Sequence, residues 1–480
     1  MPEFRVPAEK TGDQDMATEL WTKSATDLAA LIASGDTSSV EVLNAHLERI
    51  EAVNPSLNAV VRILGDEARV AAEQADAAVQ RGDVLGPLHG VPISVKDNID
   101  VIGDVSTQGI PMLAEIVATA DAPVVERMRE AGAIPFVRTN MPELGLRVHT
   151  HSVTYGLTKN PWDSTRTAAG SSGGEASAIA SGMSPLGLGN DIGGSLRNPA
   201  FACGVASIKP SGQRVPYATT TMPGTPMLAE QFMLAQGVLA RRVADLRLGL
   251  SIIAGAHPRD PYAISAPLEG PPVVKRVALV PEPEGGTTDP DIAAAVRTAG
   301  QILEDAGYEV EEIQPPKLAE AYLGWSLVMM SDLAAMRPVL EMALSEESMS
   351  FLLFGSDAFG DPTAESINQA HQLRLEVAMA WAMFQERYPI IVGPTWTEKP
   401  FEHGFDIIDF DSAMAVLSQM RFILPQNLLG IPAACIPTGV AEGLPMGVQI
   451  TGQRFREDVC LDVAQVLEDA LGILTPINPR

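Results

Sequence analysis

Between Ala169 and Ala200 the chain reads AGSSGGEASAIASGMSPLGLGNDIGGSLRNPA, dense in glycine and serine and charged only at Glu175, Asp191 and Arg197. A Gly/Ser-rich run is ordinarily a flexible, solvated linker. This one also carries Ile179, Met183, Leu186, Leu188, Ile192 and Leu196, and a linker in water has no use for them. Small residues interleaved with apolar ones describe buried backbone, packed closely against other chain or turned so that N–H groups face a small cavity. The run must therefore be enclosed by something large.

A chain of 480 residues can build that enclosure, although length alone would allow about three domains. Apolar residues recur at helical spacing from Thr26, a candidate cap, through Leu28, Leu31 and Ile32 to Gly35, and again from Val40 to Ile50, ending near Asn54-Pro55. A long Ala-rich helix is expected from Asp66 to Gly82. Val91, Ile93 and Val95 alternate as a strand, and a helix after Ala122 leads through Gly132 to the short strand IPFVR. Lys275–Pro281, Asp289–Ala306 and Tyr308–Ile313 read as strand, helix and strand, a βαβ unit. YPIIVGPT, GIPAACIPTG and GVQITGQ read as strands before a final helix, Arg456–Leu471. No repeat or linker divides the chain. The expectation is an α/β fold with a central mixed β-sheet covered on both sides by α-helices. It would form a single domain over 16–480, preceded by a polar tail over 1–15.

Lys plus Arg number 33 and Asp plus Glu 60, a net charge of −27. So acidic a surface repels nucleic acid and anionic membrane, and a small-molecule partner is expected instead. Cys203, Cys435 and Cys460 are odd in number and lack C-x-x-C spacing, which points to neither a disulfide framework nor a zinc site and fits a reducing cytosol. The first residues have no apolar core of a signal peptide, and no run reaches the ~18 apolar residues of a membrane span. A cytoplasmic chain, monomeric or homodimeric, is expected.

Three chemistries compete for the Gly/Ser run. A phosphate loop would need G-x-x-x-x-G-K-[ST], which is absent. Gly170-Ser171-Ser172-Gly173-Gly174 matches the G-x-S-x-G nucleophile elbow, with Ser172 as nucleophile and a histidine as base. An elbow must follow a strand, however, and NPWDSTRTAA is polar and turn-like. The third possibility lies in GNDIGGS. The N–H groups of Ile192, Gly193, Gly194 and Ser195 could form a nest for the oxyanion of an acyl-transfer intermediate, with Ser195 as nucleophile. No histidine or aspartate stands at an obvious offset to serve it. A buried, neutral lysine acting through another hydroxyl would do so, and Lys96, directly after the strand VPISV, is the candidate. His149 and His151 form an H-x-H pair, read as loop or pocket wall rather than as a metal site.

GVPISVKDNIDV, GSSGG, GNDIGGSLRNPA and KPSGQRV together resemble the amidase signature family of serine amidohydrolases. The likeness extends through AGAIPFVRTNMPE, GLTKNPWD and NLLGIPAACIPTG, from about Ala25 to Leu471. It implies a triad of Ser195 as nucleophile, Ser171 as bridging serine on a cis peptide, and Lys96 as base, with no metal or organic cofactor. Ser172 becomes a supporting neighbour, and Asp191 with Arg197 a structural ion pair flanking the nest. The implied substrates are amides, with a bacterial amidase for bulky or aromatic amides, carbamates (urethanes) and esters as the expectation. The alternative is the glutamine-amidotransferase subunit of a tRNA-dependent complex. The Met/Leu/Phe-rich segment Leu327–Phe354 is expected either to be ordinary core or to line an adaptable apolar pocket.

Overall fold

The computed structural model describes residues 20–222 and 224–480, so the polar tail lies outside the described residues. In chain order the strands are β1 Val60–Ile63, β2 Pro92–Lys96, β3 Ile134–Thr139, β4 His151–Ser152, β5 Gly156–Leu157, β6 Leu186–Asp191 and β7 Ala206–Lys209. They continue with β8 Ala235–Ala240, β9 Arg276–Leu279, β10 Glu309–Glu312, β11 Ile390–Pro394, β12 Ala433–Ala441 and β13 Leu444–Thr451. β4 and β5 pair with each other, and the other strands form one 11-stranded sheet ordered β1-β3-β2-β6-β8-β7-β12-β13-β11-β9-β10. β3, β2 and β6 are mutually parallel, as are β11, β9 and β10. The remaining pairs are antiparallel. The sheet is mixed, as expected.

Successive strand residues face opposite ways, and the core divides accordingly. Val277 and Leu279 of β9, like Ile390 and Val392 of β11, join one apolar cluster, and Ala278 and Ile391 join another. Helices Pro123–Glu130, Val243–Ile253 and Glu457–Leu471 pack into the first cluster. Helices Gly173–Ala180, Arg197–Cys203, Leu318–Ala343 and Ala364–Arg387 pack into the second. Helices thus cover both faces of the sheet.

The Gly/Ser run is the buried backbone its composition demands. It supplies β6 and two short helices, and every residue of Gly173–Ala180 is buried. Boundaries elsewhere differ in detail. The first helix, Ala25–Ser34, is capped by Ser24, whose hydroxyl accepts from the Asp27 N–H, rather than by Thr26. The Thr26 hydroxyl instead donates to Asp245 at 2.6 Å. The second helix continues through Pro55 to Leu57. Proline there removes a single helical hydrogen bond, and the Asn54 side chain accepts from Ala59 and Val60 to draw the chain out. Among the described residues, no helix is long and apolar enough to cross a membrane.

The methionine-rich segment falls on two consecutive helices, Leu318–Ala343 and Glu346–Phe359, whose ends extend beyond it. Met329 is core, clustered with Trp325 and Val328. Met330 lines a cleft of ≈ 130 Å³ between the two helices, with Leu333, Leu340, Met349 and Leu352. None of Lys96, Ser171 and Ser195 lines that cleft. The segment encloses an apolar space of its own, apart from the serines and the lysine.

Candidate active site

β2 lies between β3 and β6, parallel to both, with Lys96 opposite Thr139 and Val95 opposite Leu188. Parallel neighbours end on the same sheet edge, where open α/β sheets place their ligand crevices. Lys96 is the last residue of β2 and Asp191 the last of β6. Strand alternation puts Val95 in the first apolar cluster, so Ser94 and Lys96 face the opposite way, toward the helix Gly173–Ala180.

That helix is preceded by the serines. The Gly170–Ser171 peptide is cis. Lys96 Nζ lies 2.7 Å from Ser171 Oγ and 2.8 Å from Asn190 Oδ1. The Ser172 N–H donates to the Ser195 carbonyl at 3.2 Å, which ties the two serine segments together. Lys96, Ser171 and Ser195 are all buried. Burial lowers the Lys96 pKa to about 7, against the opposing pull of the Asp191 and Glu175 charges. A lysine so placed is neutral in a large share of molecules near neutral pH.

Ser172 fits no elbow. Its hydroxyl is buried with no hydrogen-bond partner among the described residues, and the chain before it is turn rather than strand. The histidines serve elsewhere. His149 Nδ1 pairs with Thr167 Oγ1 at 2.9 Å, and His151 Nδ1 with Glu347 at 2.9 Å. Among the described residues, no group of three metal-ligating side chains forms.

Asp191 and Arg197 are a fully buried ion pair at 2.9 Å. Asp191 also accepts from the N–H groups of Gly194 at 2.7 Å and Leu196 at 3.1 Å. Burial opposes its charge, but Arg197 and Lys209 outweigh that and hold the carboxyl well below its ordinary range. Arg197 in turn donates to Gln449, Asn427 and the Ile423 carbonyl. The pair pins the turn to Ile423, Asn427 and Gln449, and it bears on one detail of the expected nest. Of the four N–H groups expected there, that of Gly194 is committed to Asp191, whereas those of Ile192, Gly193 and Ser195 have no protein acceptor among the described residues.

Sequence reasoning passed over several residues. Asn190 holds the Lys96 amine and pairs with Asn98 through bonds of 3.0 and 3.3 Å. Its position directly before Asp191, at the tip of a buried strand, was the available signal. Glu175 is buried beneath Lys96, accepting from Ser94 Oγ and, at 2.6 Å, from Thr139 Oγ1. Burial raises its pKa to about 7, opposed by those two hydroxyls and by Lys96 and Arg138. Trp325, just outside the methionine-rich segment, donates to the Ile192 carbonyl at 2.8 Å.

Comparison with known proteins places the chain in a class of hydrolases. The family described as Amidase matches residues 41–461, and the chain belongs to the amidase signature family. It is 41% identical to an indoleacetamide hydrolase of Bradyrhizobium diazoefficiens, over 95% of this chain and 88% of that protein. It is 30% identical to one component of the glutamyl-tRNA(Gln) amidotransferase of Salinispora tropica, over 96% and 99% of the two chains. A bacterial aryl acylamidase of the amidase signature family superposes with a TM-score of 0.82 at 26% identity, covering 93% of this chain and 96% of that one. The chain is a hydrolase of carbon–nitrogen bonds in linear amides.

Proposed function

We propose that this chain hydrolyses aromatic amides of the arylacetamide kind through Ser195, Ser171 and Lys96. The observation that carries the reading is the buried Lys96 amine 2.7 Å from Ser171 Oγ, joined to Ser195 through the Ser172 N–H. An amide oxygen only accepts, so Asn190 Oδ1 takes one Lys96 N–H and leaves the lone pair of the neutral amine for the Ser171 proton. Lys96 takes that proton, Ser171 takes the Ser195 proton, and Ser195 Oγ bonds to the substrate carbonyl carbon. The carbonyl electron pair moves onto oxygen, held by the nest. As the intermediate collapses, the C–N bond breaks and the relay returns a proton to the departing ammonia or amine. Water then adds to the acyl-enzyme by the same relay and releases the acid and Ser195.

Identity of 41% to an indoleacetamide hydrolase favours an aromatic acyl group and ammonia as leaving group. Carbamates and esters present the same carbonyl to the nest and belong to the same proposal. The amidotransferase reading rests on the lower identity of 30%, and the net charge of −27 disfavours a tRNA partner. The test is to assay purified protein on indole-3-acetamide, an anilide, an aryl carbamate, acetamide and glutamine, beside Ser195→Ala. The aromatic amides should turn over and the variant should lose at least about a thousandfold. A fluorophosphonate should label Ser195. Labelling of Ser172, or glutamine as the sole substrate, would overturn the proposal.

A further inference from the structure

The oxyanion nest is held from outside by a residue 133 positions further along the chain. The Trp325 indole N–H donates to the Ile192 carbonyl at 2.8 Å, and its ring lies against Gly193, where a Cβ would come within 2.6 Å of ring carbon Cζ2. A larger side chain there would have to displace the indole. In a trans peptide the carbonyl of one residue and the N–H of the next point in opposite directions. A donor fixed on the Ile192 carbonyl therefore sets the direction of the Gly193 N–H, which has no acceptor among the described residues. The following peptide is held too, since Asn198 Nδ2 donates to the Gly193 carbonyl at 3.3 Å while the Gly194 N–H is taken by Asp191. Asn198 itself is steadied by Trp396, whose indole N–H reaches its Oδ1 at 2.8 Å.

We propose that Trp325 is a positioning residue for the oxyanion: its indole N–H clamps the Ile192–Gly193 peptide so that the Gly193 N–H is aimed at the substrate oxygen. The helix Leu318–Ala343 that carries Trp325 is thereby part of the catalytic apparatus, although it supplies no reacting group. The inference rests on the serine mechanism proposed above. An unclamped peptide can rotate, and a nest that must reorganise during the reaction stabilises the transition state less than one already set. The cost should fall on kcat, because ground-state binding of the substrate does not require the oxyanion contact.

The test uses Trp325→Phe, which keeps a ring against Gly193 and removes the N–H. Its kcat on an aromatic amide should fall about tenfold to a hundredfold with KM changed less than about threefold. The inhibition constant of an aryl trifluoromethyl ketone should rise by a similar factor. That compound forms a hemiketal with Ser195, its carbonyl oxygen becoming the nest-bound oxyanion while the serine proton passes through Ser171 to Lys96. Affinity for the carboxylate product, which forms no oxyanion of this kind, should not change. A purely structural role would lower the melting temperature and leave these ratios intact, and that result overturns the proposal. If the variant does not fold, the unsubstituted protein with ¹⁵N-labelled indoles answers instead. Its Trp325 N–H resonance, assigned by elimination through Phe variants of the other tryptophans, should shift on hemiketal formation and not with product, and an unmoved resonance overturns the proposal. Ser195→Ala in the same assays separates the two readings. Full activity in Trp325→Phe with an inactive Ser195→Ala refutes the clamp alone, whereas an active Ser195→Ala refutes the serine mechanism and the clamp with it.

Discussion

A lysine is a base only when it is neutral, and burial brings the Lys96 pKa to about 7 although Asp191 and Glu175 pull it upward. Below that value the amine is protonated and cannot accept from Ser171, so activity should rise with pH through about 7 and then level. One unit lower, kcat/KM should be about a tenth of its plateau. Glu175 offers a way to move that limb. It faces Ser94, Thr139, Lys96 and Arg138, and its carboxylate favours the protonated lysine. Glu175→Gln keeps the hydrogen-bonding shape and removes the charge, so the acid limb should shift to lower pH. The pH profiles of the two proteins, measured on one amide substrate, decide it. Coincident limbs would mean that the Glu175 charge does not reach Lys96.

The turn between β6 and the helix Arg197–Cys203 is the element on which the site depends. Gly194 there has φ +97, a backbone conformation that L side chains rarely adopt, and a Cβ would meet Asn198 Oδ1 at 2.4 Å. The turn is closed by Asp191 and Arg197, both fully buried. Removing one member of such a pair leaves a charge in a medium that cannot solvate it, a loss of about 3–5 kcal/mol. Arg197→Ala should therefore lower the unfolding free energy in urea by about that amount. An effect below about 1 kcal/mol would show that water reaches Asp191 in the variant. β6 itself was legible in principle, because Leu186 and Leu188 alternate with glycines, but the glycines leave one face without side chains and weaken the signal of period two.

Across the whole molecule the charge is strongly acidic, and several of the few cations are spent inside. Lys96, Arg138, Arg197, Lys209 and Arg214 are buried, but so are acids such as Asp97, Glu175, Asp191, Asp406 and Glu457, so the surface carries most of the net charge of −27. Like charges repel across such a surface, and salt screens that repulsion over about 8–10 Å near physiological strength. The melting temperature should rise between about 10 and 150 mM sodium chloride, as followed by circular dichroism. A fall would mean that surface ion pairs such as Arg297 with Glu282 and Glu312 outweigh the repulsion.

By itself the sequence determined the layered α/β class, because helix and strand periods are local properties written in a few adjacent residues. It determined the family too, through strings such as GNDIGGSLRNPA, and with it the expectation that Lys96, Ser171 and Ser195 act together. It also settled that Ala169–Ala200 is buried, since apolar side chains at that density have nowhere else to go. What only the tertiary structure decided are the contacts between residues far apart in the chain. Lys96 meets Asn190 across 94 positions, and Asp191 meets Asn427 across 236. Sequence spacing carries no record of such pairs, because they depend on which strands lie side by side and in what register. The place of the methionine-rich helices was decided there as well. An apolar face states that it must be covered, whereas the partner that covers it is chosen by packing: for Met330 the neighbouring helix, and for Trp325 the carbonyl of Ile192.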